Sequence, residues 1–460
     1  MILTGKSGCG KTTITRLING LIPHFFAATL QGEIAVGGLD TKTASLRDIA
    51  CKVGSVFQDP RSQFFTLHVQ SELAFPSENY GIAPNVIRQQ ITRTVEELAL
   101  TALLPKSIFA LSSGEKQKIA VASVYALEPA MYVLDEPSAN VDGDGSAQLR
   151  AVLRLLKAKG YTVVIAEHRL SYLQGLADRV IFLADGQLEA TFSGREFFAQ
   201  PDGWFRDRGL QSPAAGPALP AAIEPRRPAA AVPFLQAVDI SFAYQRGQPV
   251  LNTVSLSAHR GEVTGLMGKN GAGKSTLLRI LMGLEKTGRG TIYIAGRAAG
   301  RRERRQRSFY VMQDVDYQLF APSVWEELLL GGPASTDRVA QAEYCLQFLE
   351  LTDYRDFHPA ALSGGQKQRL AVALAWMSQA DLVFFDEPTS GLDGDNMASV
   401  SRLIRMLARQ GRCIFVITHD AAFAVGTCDT ILLMGADGRL TSMTEQAGLQ
   451  GGGSYHDRTE

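Results

Sequence analysis

Gly5-Lys6-Ser7-Gly8-Cys9-Gly10-Lys11-Thr12 and Gly268-Lys269-Asn270-Gly271-Ala272-Gly273-Lys274-Ser275 both fit the pattern G-x-x-x-x-G-K-[ST]. Glycines let successive backbone N–H groups converge on an anion with no Cβ in the way, and a following helix adds the positive end of its dipole. The lysine supplies a point charge for β- and γ-phosphates, and the next hydroxyl, Thr12 or Ser275, can join the shell of a Mg²⁺ ion. Around the second loop, Glu262-Val263-Thr264-Gly265-Leu266-Met267 reads as a short apolar strand and Thr276-Leu277-Leu278-Arg279-Ile280-Leu281 as a helix, the context the motif requires. The expected phosphate-binding residues are Gly5, Ser7, Gly8, Gly10, Lys11, Thr12 and Thr13 in the first loop. In the second they are Gly268, Asn270, Gly271, Gly273, Lys274, Ser275 and Thr276.

The recurrence extends along the whole chain. Lys11 and Lys274 lie 263 residues apart, Gln58 and Gln313 255 apart, and the pairs Leu111/Leu362, Asp135/Asp386 and His168/His419 each 251 apart. The chain is therefore an internal repeat whose first copy has the longer early loops. Between the copies, residues 201–233 hold seven of the 19 prolines and read as a Pro/Ala-rich linker. The expected division is a first domain at 1–200, the linker at 201–233, a second domain at 234–446 and a polar tail at 447–460.

Within each repeat strands and helices alternate, which predicts an α/β fold with a largely parallel sheet covered on both faces. Met131-Tyr132-Val133-Leu134 and Leu382-Val383-Phe384-Phe385 are continuous apolar runs, as buried parallel strands are. Each run ends in Asp-Glu-Pro, and ligands of open α/β sheets bind beyond the carboxyl ends of strands. Adjacent strand residues point opposite ways, so the two acids can divide the work. Asp135 and Asp386 are placed to hold Mg²⁺, and Glu136 and Glu387 to orient or deprotonate a water. Leu362-Ser363-Gly364-Gly365-Gln366 opens a further helix and offers a second anion site at its N-terminus. One domain cannot easily bring two such sites to one γ-phosphate, so the simplest use is in trans, between the repeats.

The order phosphate loop, glutamine, Leu-Ser-Gly-Gly-Gln, apolar-Asp-Glu, Ser-Gly-Leu-Asp at 390–393, strand-histidine resembles the ATPase subunit of ABC transporters over nearly the whole chain. The resemblance implies two P-loop NTPase domains in tandem that bind ATP with Mg²⁺ and hydrolyse it. It implies that Ser112, Gly114, Ser363, Gly364 and Gly365 reach the nucleotide of the opposite domain. Gln58 and Gln313 would sense Mg²⁺ and contact a membrane subunit. His168 and His419 would touch the γ-phosphate, and Tyr244 would stack on adenine. The glutamine loops Val56–Phe65 and Val311–Phe320 share Gln-Asp-x-x-x-Gln-apolar-Phe, which resembles the energy-coupling-factor (ECF) ATPases, importers of vitamins and transition metals. Two halves fused in one chain resemble the version linked to thiamine-precursor uptake. The expected partners are integral membrane subunits, the ECF T component and a substrate-binding component. The expected place is peripheral, on the cytoplasmic face of the membrane. Phe64, Phe65, Leu319 and Phe320 are expected to form the exposed apolar contact.

Acidic and basic residues balance at 46 each, which argues against a nucleic-acid binder held by bulk charge. The five scattered cysteines have no metal spacing and suit a reducing compartment. Arg301-Arg302-Glu303-Arg304-Arg305-Gln306-Arg307 reads as a solvated loop, or else as a contact for an anionic lipid or partner. Two departures concern repeat one. Its Leu111-Ser112-Ser113-Gly114-Glu115 places a side chain and a negative charge near the expected ligand. Its counterpart of Tyr244 would fall before residue 1, so either the start is placed too late or the first domain is incomplete, lacking its N-terminal strands and adenine-stacking aromatic. The alternative reading is a soluble tandem ABC ATPase acting on ribosomes or DNA.

Overall fold

The apolar runs become two sheets of identical order. The computed structural model describes residues 1–139, 141–213, 232–245, 247–332 and 335–442, in two compact units, 1–215 and 216–460. The first unit contains β1 (Ile2–Thr4), β2 (Ala35–Val36), β3 (Leu39–Asp40), β4 (Val53–Val56), β5 (Met131–Asp135), β6 (Thr162–Ala166), β7 (Arg179–Ala184) and β8 (Gln187–Ser193). The second contains β9 (Leu235–Phe242), β10 (Leu251–Ala258), β11 (Val263–Gly268), β12 (Arg289–Ile294), β13 (Arg297–Ala298), β14 (Ser308–Val311), β15 (Leu382–Asp386), β16 (Cys413–Ile417), β17 (Thr430–Met434) and β18 (Leu440–Ser442).

The main sheet runs β4-β5-β6-β1-β7-β8 in the first unit and β14-β15-β16-β11-β17-β18 in the second. Five strands of each are parallel and the last, β8 or β18, turns back antiparallel. Parallel neighbours need helical crossovers, and these bury both faces of the sheet. Two apolar clusters accordingly fill each unit, one on either face. Every residue of β15 and β16 is buried.

The units differ in their second sheet. In the second unit β10-β9-β12-β13 form a four-stranded antiparallel sheet, two of its strands preceding β11 in the chain and two following it. Among the described residues of the first unit the counterpart is the two-stranded pair β2-β3.

Two readings of the sequence change. Residues 202–210 are not linker. The helix Asp202–Asp207 packs on the first unit, with Phe205 and Leu210 buried in its core and Trp204 against Phe182, Phe192 and Phe197. Six of the seven prolines counted for 201–233 lie at 213 or beyond, so composition averaged over the segment hid the aromatic anchors at its start. Most of the remaining linker, 214–231, and the tail 447–460 lie outside the described residues. The basic run is not a solvated loop either. It forms the helix Arg301–Gln306, with Arg304 4% exposed and donating to the Ala299 carbonyl. Arg301 donates to the carbonyls of Gly283 and Leu284, at the C-terminus of the phosphate-loop helix Lys274–Met282. A cation there satisfies carbonyls that the helix leaves unpaired and complements the negative end of its dipole.

Candidate functional site

Both phosphate loops leave the end of a central strand, β1 or β11, and enter a helix, Lys11–Ile18 or Lys274–Met282. Gly5 and Gly268 have φ of +154° and +148°, and a Cβ there would sit 2.1 Å from the Leu183 carbonyl oxygen or 2.4 Å from that of Met434. The loop is thus laid against the neighbouring strand, and only glycine fits. Gly8 and Gly271 face open space, and Gly10 and Gly273 take left-handed backbone just before the helix. Ser7 and Asn270 complete the loops, with Thr13 and Thr276 on the first helical turns. Lys11 Nζ donates to the carbonyls of Gly5 and Lys6, both at 3.0 Å; Lys274 Nζ donates to those of Gly268 and Lys269 at 2.7 and 2.9 Å. Each ammonium is therefore buried and drawn across its own loop.

Asp135 and Asp386 close β5 and β15 as expected, both 8% exposed. Thr12 Oγ1 donates to Asp135 Oδ1 at 3.2 Å. Burial raises the Asp135 carboxyl to about 6, the adjacent Glu136 adds to the rise, and the Thr12 hydrogen bond opposes it. A buried carboxylate beside a hydroxyl at the first turn of a phosphate-binding helix is a hard-oxygen set, which fits Mg²⁺ held together with nucleotide phosphates. Ser275 occupies the Thr12 position in the second unit.

One residue further on, Glu136 and Glu387 adopt φ of +44° and +50°. Left-handed backbone at a non-glycine residue is uncommon and carries a cost. The strain aims each carboxylate at residues from distant elements. Gln58 Nε2 donates to Glu136 Oε2 at 2.7 Å, and His168 Nε2 lies 3.2 Å from Glu136 Oε1. In the second unit His419 Nε2 lies 3.1 Å from Glu387 Oε1 and 2.9 Å from Asn270 Oδ1 of the phosphate loop. The structure therefore joins glutamine, glutamate and histidine in unit one, and glutamate, histidine and phosphate loop in unit two. Gln313 stands two residues past β14, as Gln58 does past β4.

Ser112 and Ser363 act as caps. Each side chain accepts from the backbone of the third helical residue, Glu115 or Gln366, whose own side chain accepts from the serine N–H. Glu115 therefore completes a capping box and pairs with Lys106 at 2.9 Å, rather than standing as a bare charge beside a ligand. Gly114, Gly364 and Gly365 form the first turns of these helices. Tyr244 is 56% exposed, stands edge-on to Phe242, and its hydroxyl meets Thr276 Oγ1 at 3.3 Å. Its ring is available beside the start of the phosphate-loop helix.

Several residues at the site escape a reading of the sequence. Glu72 and Glu327, each 2% exposed, accept from the backbone N–H groups of residues 65–66 and 320–321. Gln63 and Gln318 accept from the N–H groups of Phe57 and Met312. These bonds fix the loops so that Phe65 and Phe320 stand 72% and 75% exposed. Phe64 and Leu319, expected beside them at the surface, instead pack on the core. Glu167 accepts from the N–H groups of Ser138, His168 and Arg169 and from the Tyr172 hydroxyl, while Arg169 donates to the Ser138 and Val141 carbonyls. That network fixes the turn bearing His168 to the turn following Glu136. The shared 255-residue spacing of Glu72 and Glu327 was a readable signal; Glu167 has Thr418 as counterpart and gave none.

The family profile described as ABC transporter matches residues 1–139 and 251–390. A Treponema denticola protein provisionally named an ABC transporter ATP-binding protein is 40% identical over 438 residues, covering 94% of this chain and 89% of its own. YkoD of Bacillus subtilis, provisionally named an HMP/thiamine import ATP-binding protein, is 31% identical, covering 94% of this chain and 84% of its own. A structure described as ribosome-bound archaeal Pelota and ABCE1 contains a chain sharing the fold at a TM-score of 0.68 and 21% identity, with 97% of this chain and 75% of that one covered. Duplicated phosphate loops, strained Asp-Glu strand ends and a match spanning both repeats make this chain a member of the ABC transporter family, with two ATP-binding ABC ATPase domains in tandem.

Proposed function

We propose that the protein is the ATP-hydrolysing subunit of an ECF-type importer for a vitamin or metal ion, a thiamine precursor among the candidates. It would act peripherally on the cytoplasmic face of the membrane against a T component and a substrate-binding component. The observation that carries this reading is the pair of loops Gln58–Phe65 and Gln313–Phe320. Each begins at the glutamine that follows its strand, and each ends in an exposed phenylalanine held by a buried glutamate. Phe65 also stacks on Phe75 at 4.9 Å, widening the apolar surface. The similarity to YkoD supports the substrate class. Among the described residues no helix is long and apolar enough to cross a membrane, so the reading requires separate membrane subunits.

In this reading Asp135 with Thr12 and Gln58, and Asp386 with Ser275 and Gln313, hold Mg²⁺, which when bound neutralises charge on the phosphates. Glu136 and Glu387 orient the attacking water and accept its proton, and His168 and His419 hold those carboxylates in place. Tyr244 stacks on the base. The capped serines and glycines, Ser112 and Gly114 or Ser363, Gly364 and Gly365, serve the nucleotide of the opposite repeat.

Membrane fractionation of Phe65→Ser/Phe320→Ser tests the reading. These side chains are exposed, so folding and basal ATPase activity should persist while membrane association is lost. Asp59 and Asp314 are left intact because each caps a turn of its loop. Retention on membranes would refute the docking role. The fold shared with a ribosome-associated chain keeps a second reading in view: co-sedimentation of the wild-type protein with ribosomes, rather than membranes, would favour it.

A further inference from the structure

The two metal-holding aspartates are anchored by different elements. In the first unit the helix Lys11–Ile18 does it through Thr12, which donates to Asp135 Oδ1 at 3.2 Å; Thr15, 2% exposed, stands 3.5 Å from Oδ2 but gives its hydroxyl proton to the Thr12 carbonyl at 2.8 Å. In the second unit position 15 corresponds to Leu278, fully buried, which has nothing to donate. There the anchor comes from the sheet: Tyr310 on β14 donates its hydroxyl to Asp386 Oδ2 at 2.7 Å. The residue of the first unit aligned with Tyr310 is Ser55, whose hydroxyl instead accepts from Asn19 Nδ2 at 3.2 Å. Asn19 in turn corresponds to Met282.

Three positions have therefore exchanged as a set. Thr15 and Asn19 lie four residues apart on one helix face, with Ser55 across from them; their counterparts are Leu278, Met282 and Tyr310. An apolar helix face accepts the Tyr310 ring, which packs on the cluster containing Leu278 and Met282. The ring length then carries the hydroxyl to the carboxylate that the helix no longer reaches. What the exchange supplies is an O–H donor from the sheet to Asp386 Oδ2. Such outer donors fix the orientation of a ligating carboxylate, and their loss typically weakens metal binding 10–100-fold.

We propose that Tyr310 is the positioning residue for Asp386, a part that its first-unit counterpart Ser55 does not play, so that the Mg²⁺ affinity of the second ATP site alone depends on this side chain. The inference rests on the reading of both aspartates as Mg²⁺ ligands. Full-length protein carrying Lys11→Ala isolates the second site, and Lys274→Ala the first. ATP binding is titrated in EDTA and then against Mg²⁺ at fixed ATP. In the Lys11→Ala protein, Tyr310→Phe should raise the Mg²⁺ concentration for half-maximal enhancement about tenfold, with ATP affinity in EDTA unchanged. In the Lys274→Ala protein, Tyr310→Phe should change nothing. A Mg²⁺ requirement within twofold of the parent for Tyr310→Phe overturns the proposal, as does an equal loss of affinity in EDTA, which would mark a merely structural tyrosine. Absence of any Mg²⁺ enhancement in both parents would instead overturn the metal reading, and this inference with it.

Discussion

Glu136 and Glu387 carry their carboxylates on left-handed backbone at the ends of buried strands. The carboxyl group is what the position is shaped to present, so Glu136→Gln/Glu387→Gln preserves shape and hydrogen-bonding length while removing the base. Steady-state ATPase activity should fall by about 10² or more, with ATP affinity held; near-normal turnover would remove both residues from the chemistry. The same pair shows what the sequence could and could not disclose. Their place after an apolar run was legible, because strand direction and the Asp-Glu-Pro spacing sufficed. Their strain, and the approach of Gln58 from 78 residues away, depend on tertiary packing that no local pattern encodes.

At the scale of elements, the recurring motifs fixed the strands and helices bearing the site. What went unread were elements defined by what they touch. Helix Asp202–Asp207 was concealed by the prolines that follow it, and the Arg301–Gln306 helix by a charge pattern that in isolation favours solvent. Glu72 and Glu327 read as ordinary helix acids until their backbone partners are seen. The helix at 202 yields a clean test. If it belongs to the first unit's core, Phe205→Ala should destabilise that unit by about 3–5 kcal/mol in denaturant unfolding. A change of about 0.5 kcal/mol or less would return the segment to the linker.

At the scale of the molecule, the repeat is conserved in its sheets and unequal in its accessories. Tyr244 and the four-stranded antiparallel sheet belong to the second unit, and β2-β3 is the counterpart in the first. Aromatic stacking is worth about 1 kcal/mol, roughly fivefold in affinity. Nucleotide titration of the single variants should therefore show Lys11→Ala, which keeps the Tyr244 site, binding ATP about fivefold more tightly than Lys274→Ala. Equal dissociation constants, or the reverse order, would show that other loops compensate.

The short path from Glu136 through Gln58 to Phe65 has a thermodynamic consequence. The eight-residue loop Gln58–Phe65, fixed at Phe57 by Gln63 and at Phe65 by Glu72, joins the Glu136 carboxylate to an exposed ring. Any body that seats on Phe65 and shifts the Gln58 end of this loop alters the free energy of nucleotide binding. Linkage then obliges nucleotide to alter the affinity of that body by the same factor. Docking on Phe65 and nucleotide binding would thus share one coupling factor, read equally from either end of the loop.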